Sequence, residues 1–502
     1  MQLAELREKE KEIVEYAGSK EALIDEQAIE LLSERPDFRE IIDALLSEGT
    51  FIIDRKAVEK KILKQKTGIA AKEEVVVEKN RFKPHAKEIT ANFKILHQLD
   101  ITGQSKTYGT AKDFLHYFQR KFELLSEMLK KRHTLSPKPL NRLRAVPKGS
   151  AVDVIGMVFK KWVTKKGHVA LQLEDLEAKC IALVMKNELA LTAAVEHIII
   201  DDVIAVKAVK WQEDMLIIKE IIRPDLPVRE NRKAEQNVSI ASISDMHVGS
   251  KLFLEKPFQN FLEWLNGRTE NKKEQEKVSK IKYLIVTGDN VDGCGVYPNQ
   301  FNELNIKDIY QQYQEFSKFI SQVPEYIEVF IIPGQHDAVR WADPQPAIPK
   351  EFAPELHALP NVHFLGSPSW ISIEGMLTML YHGGALHELI AALGFLSSDH
   401  PEEAMIEVLK RRDLMTGYGH KQPYVPEKED LLVIREEPDL IYIGDMHHNA
   451  YGNYRGTTII NSGTWQARTN YQVKLGHIPT PGIAPVLNLA TGKITENHFM
   501  QQ

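Results

Sequence analysis

The chain has 502 residues, which exceeds a single hydrophobic core and predicts about two to four domains. It has only two cysteines, so we expect neither a disulfide framework nor a metal site built from thiolates. It has no apolar run long enough to cross a membrane, and its first residues are charged, so we expect neither a membrane span nor a secretory signal. These features predict a cytoplasmic protein, and the net charge of −6 does not indicate nucleic-acid binding by the chain as a whole.

Residues 1–75 are predicted to form an N-terminal helical domain. Pro36 and Gly49 interrupt apolar residues that recur at the spacing of a helix face. Those apolar residues are Ala28, Leu31, Leu32, Ile41, Ile42, Leu45 and Leu46. Nothing in this region has the residue types of a catalytic site.

Residues 76–148 are predicted to contain a linker and one amphipathic helix. Mixed charge from Glu73 to Lys94 indicates the linker, and Thr110 with Asp113 three residues later predicts the helix start. The predicted apolar stripe consists of Phe114, Phe118, Phe122 and Leu125. A run without acidic residues follows, containing Lys130, Lys131, Arg132, Lys138, Arg142, Arg144 and Lys148. This run is interpreted either as a solvated linker or as a segment that contacts phosphate or a partner.

Residues 149–228 change to short β-rich runs, which predict a small barrel of the oligonucleotide-binding type. The runs are 152–159, 169–173, 180–185, 203–211 and 215–222. Barrels of this type bind nucleic acid or other proteins, and the sequence does not separate the two uses. Pro224, Pro227 and the polar stretch 229–236 predict the next domain boundary.

Residues 237–502 alternate apolar strands with helices, which is typical of an α/β sheet. Five of the strands end in residues that bind metals or move protons. These strand ends are Asp245-Met-His247, Asp289-Asn-Val-Asp292, Gln335-His-Asp337, His382 and Asp445-Met-His447. Because ligands bind beyond the carboxyl ends of strands in such sheets, the five loops predict a single site.

The residue types at these ends fit phosphodiester hydrolysis by two cations. Two divalent ions about 3.5–4 Å apart provide a hydroxide at neutral pH and neutralise charge on the phosphoryl oxygens. Mixed imidazole and oxygen ligands suit Mn, Fe, Zn or Co better than Ca. The sequence therefore predicts a dinuclear centre that cleaves a phosphate ester.

The pattern over residues 237–502 resembles the calcineurin-like metallophosphoesterase superfamily, with its motifs D-x-H, G-D-x-x-D, G-N-H-D/E, H and G-H-x-H. Over nearly its full length the chain resembles the small subunits of archaeal D-family DNA polymerases, most clearly in 109–132, 288–298, 333–340 and 461–481. The resemblance implies a multidomain protein with an α/β metallophosphoesterase domain built as a β-sandwich with flanking helices, an OB-type barrel and the N-terminal helical region.

The second resemblance also implies a function and partners. The chain is expected to provide the 3′–5′ exonuclease of a heterodimer whose large subunit synthesises DNA. Its substrate is expected to be a single-stranded or frayed 3′ end of DNA, and the sliding clamp is an additional candidate partner. No membrane partner is expected.

The resemblance assigns roles to individual residues. Asp245, His247 and His447 bind the first ion, and Asp289 bridges both ions. Gln335, His382 and Asp445 bind the second ion. His336 contacts the scissile phosphate and protonates the leaving 3′-oxygen, Asp337 orients His336 by a hydrogen bond, and Arg340 is either a phosphate contact or a structural ion pair.

Two residues depart from the superfamily pattern: Gln335 replaces the usual Asn and Asp445 the usual first His of the last motif. The second site then has three oxygen donors and one imidazole, which favours Mn²⁺, with Mg²⁺ as the alternative, over Zn²⁺. The substitutions also predict weak or substrate-dependent occupancy of the second site. Cys294 is interpreted as a small packing residue, and His387, His420 and His448 are assigned no catalytic role.

Two other functions stay open at the level of sequence. One is a catalytically silent scaffold subunit, which the departures at Gln335 and Asp445 favour. The other is a stand-alone phosphatase or cyclic-nucleotide phosphodiesterase, which would have no use for the appended barrel. Retention of the remaining predicted ligands favours the exonuclease.

Overall fold

The computed structural model describes residues 3–20, 22–33, 35–47, 50, 52–55, 57, 58, 61, 82–131, 134–415, 417–419 and 421–500. It divides into two compact units, Met1–Arg81 and Phe82–Gln502. Part of the predicted linker (73–81), the end of the predicted helical domain (62–75), Arg132 and His420 lie outside the described residues. Within the described part of the chain, no helix is both long and apolar enough to span a membrane.

The described part of the first unit includes helices and a two-stranded parallel sheet. Its elements are α1 (Leu3–Ser19), β1 (Leu23–Ile24), α2 (Glu26–Ser33), α3 (Phe38–Ser47) and β2 (Ile52–Ile53). Of the predicted apolar residues, Ala28, Leu32, Ile41, Ile42 and Leu45 are buried in one core. The helical spacing seen in the sequence therefore corresponds to a real buried face.

The second unit begins with 3₁₀ turns at His85–Glu88 and His97–Leu99, the short strand β3 (Phe93–Ile95) and the helix α4 (Ala111–Lys130). Thr110 caps α4 in a capping box with Asp113, as the sequence predicts. The fully buried face of α4 includes Tyr117 and Lys121, whereas the predicted stripe of phenylalanines is only partly buried. Lys121 faces inward because its Nζ lies 2.5 Å from Oδ2 of the buried Asp413.

The five predicted strands after α4 form a closed barrel. They are β4 (Ala151–Val163), β5 (Val169–Glu174), β6 (Lys179–Val184), β7 (Val203–Gln212) and β8 (Met215–Ile222), with α5 (Leu189–Glu196) between β6 and β7. The strand order is β4-β5-β6-β8-β7, and the β6–β8 pair is parallel while the others are antiparallel. Alternate apolar side chains fill the barrel interior.

Two mixed six-stranded sheets make up the rest of this unit. Their strands are β9 (Ser239–Ile243), β10 (Ile281–Thr287), β11 (Glu328–Ile332), β12 (Val362–Phe364), β13 (Ser369–Ile373), β14 (Met376–Leu380), β15 (Leu440–Ile443), β16 (Ala450–Tyr454), β17 (Thr457–Asn461), β18 (Ile483–Asn488) and β19 (Ile494–His498). The orders are β12-β11-β10-β9-β18-β19 and β16-β17-β15-β14-β13-β3. In the first sheet β9 to β12 are parallel, and in the second β14, β15 and β17 are parallel.

The two sheets pack face to face with helices outside. Ile240 and Phe330 of the first sheet and Leu380 and Tyr442 of the second belong to one buried cluster. The outer helices are α6 (Glu255–Leu265), α7 (Lys272–Ser279), α8 (Ile309–Ile320), α9 (Pro354–His357), α10 (Leu386–Ala392), α11 (Pro401–Arg411) and α12 (Asn470–Leu475). Because strands in a sandwich are covered on both faces, β10 and β15 are buried along their whole length. The chain is thus a multidomain α/β protein with mixed sheets and a closed barrel.

Buried charges join the barrel to the sandwich. Arg223, directly after β8, donates a 2.8 Å hydrogen bond to Oε2 of Glu407 on α11. Lys410 and His197 also lie within 3.1 Å of the same carboxylate. Glu407 is 3% exposed. Since a buried charge is stable only when it is paired, this cluster fixes how the barrel docks.

Candidate metal centre

The predicted strand-end residues converge at one edge of the sandwich. Asp245, Asp289 and Asp445 follow β9, β10 and β15, and His382 follows β14. Backbone bonds tie the loops together, because the amide of His247 donates to the carbonyl of Asp289 at 3.0 Å. These side chains are at most 12% exposed, as expected for loops enclosed between two sheets.

One group of ligand atoms consists of Asp245, His247 and His447, which lie within 4.8 Å of one another. Nε2 of His447 is 3.3 Å from Oδ1 of Asp245 and 3.3 Å from Nε2 of His247. Ligands about 2.0–2.2 Å from one ion are separated by distances of this size. The group matches the three residues predicted for the first ion.

A second group consists of Asp245, Asp289 and His382, also within 4.8 Å. Oδ1 of Asp289 lies 3.4 Å from Nε2 of His382, while Oδ2 lies 3.8 Å from Nε2 of His247. The two oxygens of Asp289 therefore face the two groups, which is the geometry that a bridging carboxylate requires. Nε2 of His382 is also 3.7 Å from Oδ1 of Asp445.

Several buried atoms at this edge have no hydrogen-bond partner. They include Oδ1 of Asp245, Oε1 of Gln335 and Nε2 of His382. Leaving a buried polar atom without a partner costs about 1–3 kcal/mol, more when it is charged. Two oxygens and an imidazole nitrogen without hydrogen bonds, next to the other carboxylates and histidines, have the composition of a ligand set, so the residues present fit divalent cations.

Hydrogen bonds to the far side of the imidazoles fix their orientation. Nδ1–H of His382 donates to the carbonyl of Thr287 at 2.6 Å, and Nδ1–H of His247 donates to Oδ1 of Asp292 at 3.1 Å. In each ring this leaves the lone pair of Nε2 facing the ligand groups. Metal-binding histidines are oriented in this way by an outer partner.

The backbone at the site is strained. Asp245, His247, Asp289, Asp445 and His447 have φ values of 52°, 49°, 48°, 63° and 53°. Non-glycine residues rarely adopt this region, and strain of this kind costs about 1–3 kcal/mol at each residue. Its concentration at five predicted ligands indicates that the fold holds these side chains inward against a local backbone preference.

Charge at the site is balanced between carboxylates and imidazoles. Burial opposes ionisation of Asp289, but the adjacent His382 and His336 outweigh it and hold the pKa of this carboxyl below its ordinary value. Burial likewise lowers the pKa of His382, but Asp289 and the other carboxylates raise it above its ordinary value. The carboxylate of Asp289 therefore remains ionised, as ligation of a cation requires.

The backbone at residue 334 passes so close to the predicted ligands that only glycine fits there. A side chain at Gly334 would collide with Oδ1 of Asp289 and Nε2 of His382. The loop after β11 can therefore pass directly beside the second group only with glycine at this position.

His336 lies at the rim of the site and is partly buried. Its Nδ1–H donates to the carbonyl of Asp292 at 2.7 Å, and its ring centroid is 4.6 Å from that of His247. The hydrogen bond therefore leaves Nε2 without a role in holding the ring. The closeness to His247 fits the predicted contact with a phosphate held at the ligand groups.

Asp337 does not orient His336, so that expectation was wrong. Its carboxylate accepts hydrogen bonds from the amide of Gly334 at 2.9 Å, from Nδ2 of Asn290 at 2.9 Å and from the hydroxyl of Tyr313 at 2.8 Å. Burial and the nearby Asp289 raise the pKa of Asp337 to about 6. Because the side chain after His336 points into the domain, Asp337 holds the loop and Asp292 orients the histidine.

Arg340 forms a structural ion pair with Glu427 and is not free to contact a phosphate. Its Nη1 lies 3.0 Å from Oε1 of Glu427 and 2.8 Å from the hydroxyl of Ser105, and its Nε donates to the carbonyl of Pro344. The guanidinium is thus engaged by protein groups, which contradicts a substrate-binding role in this arrangement.

Cys294 is exposed, so its interpretation as a packing residue was also wrong.

Sequence reasoning missed two residues at the site. Asp292 closes the G-D-x-x-D pattern, so a signal for it existed, although its bonds to His247 and His336 could not be read from spacing. Nε2 of His387 lies 3.3 Å from Oδ2 of Asp445. His387 had no such signal because it lies on α10 and follows no strand end.

The chain is similar to proteins of DNA replication. The model of the DNA polymerase alpha/epsilon B-subunit family matches residues 240–453. Among solved structures, the telomere capping protein Ten1 of Saccharomyces pombe aligns with 17% of this chain and with 78% of its own chain, at 16% sequence identity. The TM-score is 0.14, which is too low to support a conclusion about this chain.

The curated relatives include three DNA polymerase II small subunits. The one from Methanocaldococcus jannaschii is 37% identical over 84% of this chain and 71% of its own length. The one from Archaeoglobus fulgidus is 36% identical over 91% of this chain and 92% of its own length. The one from Thermoplasma acidophilum is 31% identical over 97% of this chain and 92% of its own length. Similarity at this level over nearly the whole length shows that the chain belongs to the family of archaeal DNA polymerase II small subunits.

Proposed function

We propose that this chain is the 3′–5′ exonuclease subunit of a heterodimeric DNA polymerase II. The observation that carries the proposal is the presence of two groups of side chains with metal-ligand geometry, together with buried atoms of Asp245, Gln335 and His382 that have no hydrogen-bond partner. In this proposal residues 149–228 are an OB-type barrel and residues 237–502 a calcineurin-like metallophosphoesterase domain. The two mixed sheets with outer helices support the second assignment.

The first proposed ion site is the first group, Asp245, His247 and His447. The second site would consist of Gln335, His382 and Asp445, of which His382 belongs to the second group, and Asp289 would lie between the two sites. Bound divalent cations supply a hydroxide at neutral pH and neutralise charge on the phosphoryl oxygens. The oxygen-rich second set favours Mn²⁺ or Mg²⁺.

The residues of the chain would act on the phosphodiester as follows. His336 is fixed through Nδ1 by the carbonyl of Asp292, which leaves Nε2 to donate a proton to the departing 3′-oxygen. Burial of Asp289 and His382 keeps bulk water from the ligand atoms. No side chain needs to form a covalent bond to the substrate.

The partner in this proposal is the large subunit. The relatives are named small subunits of DNA polymerase II, which implies a larger chain, and that chain would perform synthesis. Substrate would be the single-stranded or frayed 3′ end that synthesis leaves after misincorporation.

One assay tests the activity. Purified chain with Mn²⁺ is offered 5′-labelled single-stranded DNA, a mismatched primer–template and a chromogenic phosphate ester, alone and with the large subunit. Stepwise shortening of DNA from its 3′ end, lost in His336→Ala and kept in the remote control His363→Ala, is the expected result.

Two results would contradict the proposal. Turnover of none of the substrates, even with the large subunit, would indicate a silent scaffold. Hydrolysis of the ester without hydrolysis of DNA would indicate a stand-alone phosphoesterase.

A further inference from the structure

We propose that His387 is a positioning residue for Asp445 and thereby sets the affinity of the second ion site. The inference rests on the proposed two-ion function and deepens it. Its central observation is that the two oxygens of Asp445 face different histidines. Oδ1 lies 3.7 Å from Nε2 of His382, inside the predicted ligand set, whereas Oδ2 lies 3.3 Å from Nε2 of His387, outside that set.

Asp445 needs an outer partner because of its chemistry. The superfamily pattern has an imidazole at this position, which offers one ligating atom and no charge. A carboxylate adds a negative charge and a second oxygen, and it can rotate to present either oxygen. Oδ2 is buried, and Nε2 of His387, 3.3 Å away in an ion-pair contact, is the group placed to hold it. Ligating carboxylates are commonly fixed by such outer donors.

The backbone fixes the position of His387. It is the second residue of α10, whose Leu386 and Leu389 are fully buried, while the imidazole itself is 58% exposed at the mouth of the site. The helix is therefore anchored by its apolar face, and the exposed imidazole contributes little to the core. Replacing it should leave the fold intact.

The segment from His382 to His387 contains one of the three predicted second-site ligands and contacts the other two. His382 is itself one of them, and Gly384 packs against the amide of Gln335 so closely that a side chain there would collide with it. His387 completes the segment by reaching Asp445. One short stretch thus arranges the two residues that depart from the superfamily pattern, Gln335 and Asp445.

The test is a Mn²⁺ titration followed by electron paramagnetic resonance, with circular dichroism to verify the fold. The wild-type chain is compared with His387→Ala, His387→Gln and the control His400→Ala, another exposed histidine beside a carboxylate. His387→Ala is expected to weaken the second site by about 10–100-fold and leave the first unchanged. His387→Gln should restore most of that affinity, because its amide N–H can replace the donor.

Three results would overturn the inference. Equal second-site affinity in the wild type and His387→Ala would show that His387 does not act on Asp445. An equal loss in His387→Ala and His387→Gln would show that the imidazole is required as a direct ligand. Fewer than two ions bound by the wild-type chain with single-stranded DNA present would overturn the two-ion function itself, and the inference with it.

Discussion

The backbone amide of Asp445 donates a 2.9 Å hydrogen bond to Oδ2 of Asp245. Each aspartate begins an Asp-Met-His tripeptide, one after β9 of the first sheet and the other after β15 of the second. Both tripeptides have positive φ at their aspartate and histidine, and both methionines are buried. This bond therefore joins two similar loops from opposite sheets and sets the separation of the ligand groups.

Asp289→Asn is expected to lower Mn²⁺ affinity and exonuclease rate by more than about 100-fold. Removing a residue that only hydrogen-bonds to a metal ligand lowers affinity or activity by about 10–100-fold, and loss of a ligand itself should lower them more. The amide keeps the size of the side chain but removes the charge that faces both His247 and His382. Calorimetric titration with Mn²⁺ and a nuclease assay measure the two effects. Glu315→Gln, on the exposed pair with Lys318, is the control, and equal behaviour of the two variants would contradict a bridging role.

His336→Ala is expected to lower the reaction rate, whereas Asp337→Asn is expected to lower the stability of the fold. Loss of a proton donor at His336 should lower the rate by about 10²–10⁴-fold with little change in Tm. Asp337→Asn should lower Tm, because the bonds from Gly334 and Tyr313 go to different oxygens and the amide nitrogen that replaces one oxygen cannot accept its bond. Thermal unfolding and single-turnover kinetics separate the two. An unchanged Tm in Asp337→Asn would show that its carboxylate does not hold the loop.

Glu407→Gln is expected to destabilise the docking of the barrel near neutral pH. Burial opposes ionisation of Glu407, but Arg223 and Lys410 outweigh it and lower its pKa to about 2. A carboxyl whose pKa is lowered on folding adds stability above its ordinary pKa of about 4.5, and loses it as pH falls towards 2. The contribution is about 3 kcal/mol.

Urea unfolding of the wild type and Glu407→Gln across pH 2–7 measures this contribution. The difference in free energy of unfolding should be largest above pH 4.5 and shrink below it. A difference that stays constant over this range would show that ionisation of Glu407 does not provide the stability.

The two cysteines are expected to react differently with an alkylating reagent. Cys180 is 2% exposed inside the barrel, and burial raises the pKa of its thiol to about 12. Cys294 is exposed, although partial burial also raises its pKa above the ordinary value. Since the thiolate is the reacting species, the native protein should take up one label at Cys294, and urea should expose the second. Mass spectrometry counts the labels, and native labelling in Cys294→Ser would contradict the buried position of Cys180.

The positions of the helix start and the strands could be predicted because they depend on local patterns. Thr110 with Asp113 forms the expected capping box, and the five runs of the barrel form its five strands. The buried face of α4 could be predicted only in part. Of the predicted stripe, Leu125 is buried and the phenylalanines are partly buried, but the pattern gives no signal for the buried Lys121, whose partner Asp413 is distant in sequence.

The sequence by itself indicated that Asp245, Asp289, His382 and His447 each follow a strand, and parallel strands bring their carboxyl ends to one edge of a sheet. The structure delivers them from two sheets, so the packing of the sandwich is what brings the two pairs together. Only the tertiary structure decided what surrounds them. The partners of Asp337, Arg340 and His387 lie on other loops or a helix, and their contacts depend on side-chain directions that no periodicity in the sequence contains.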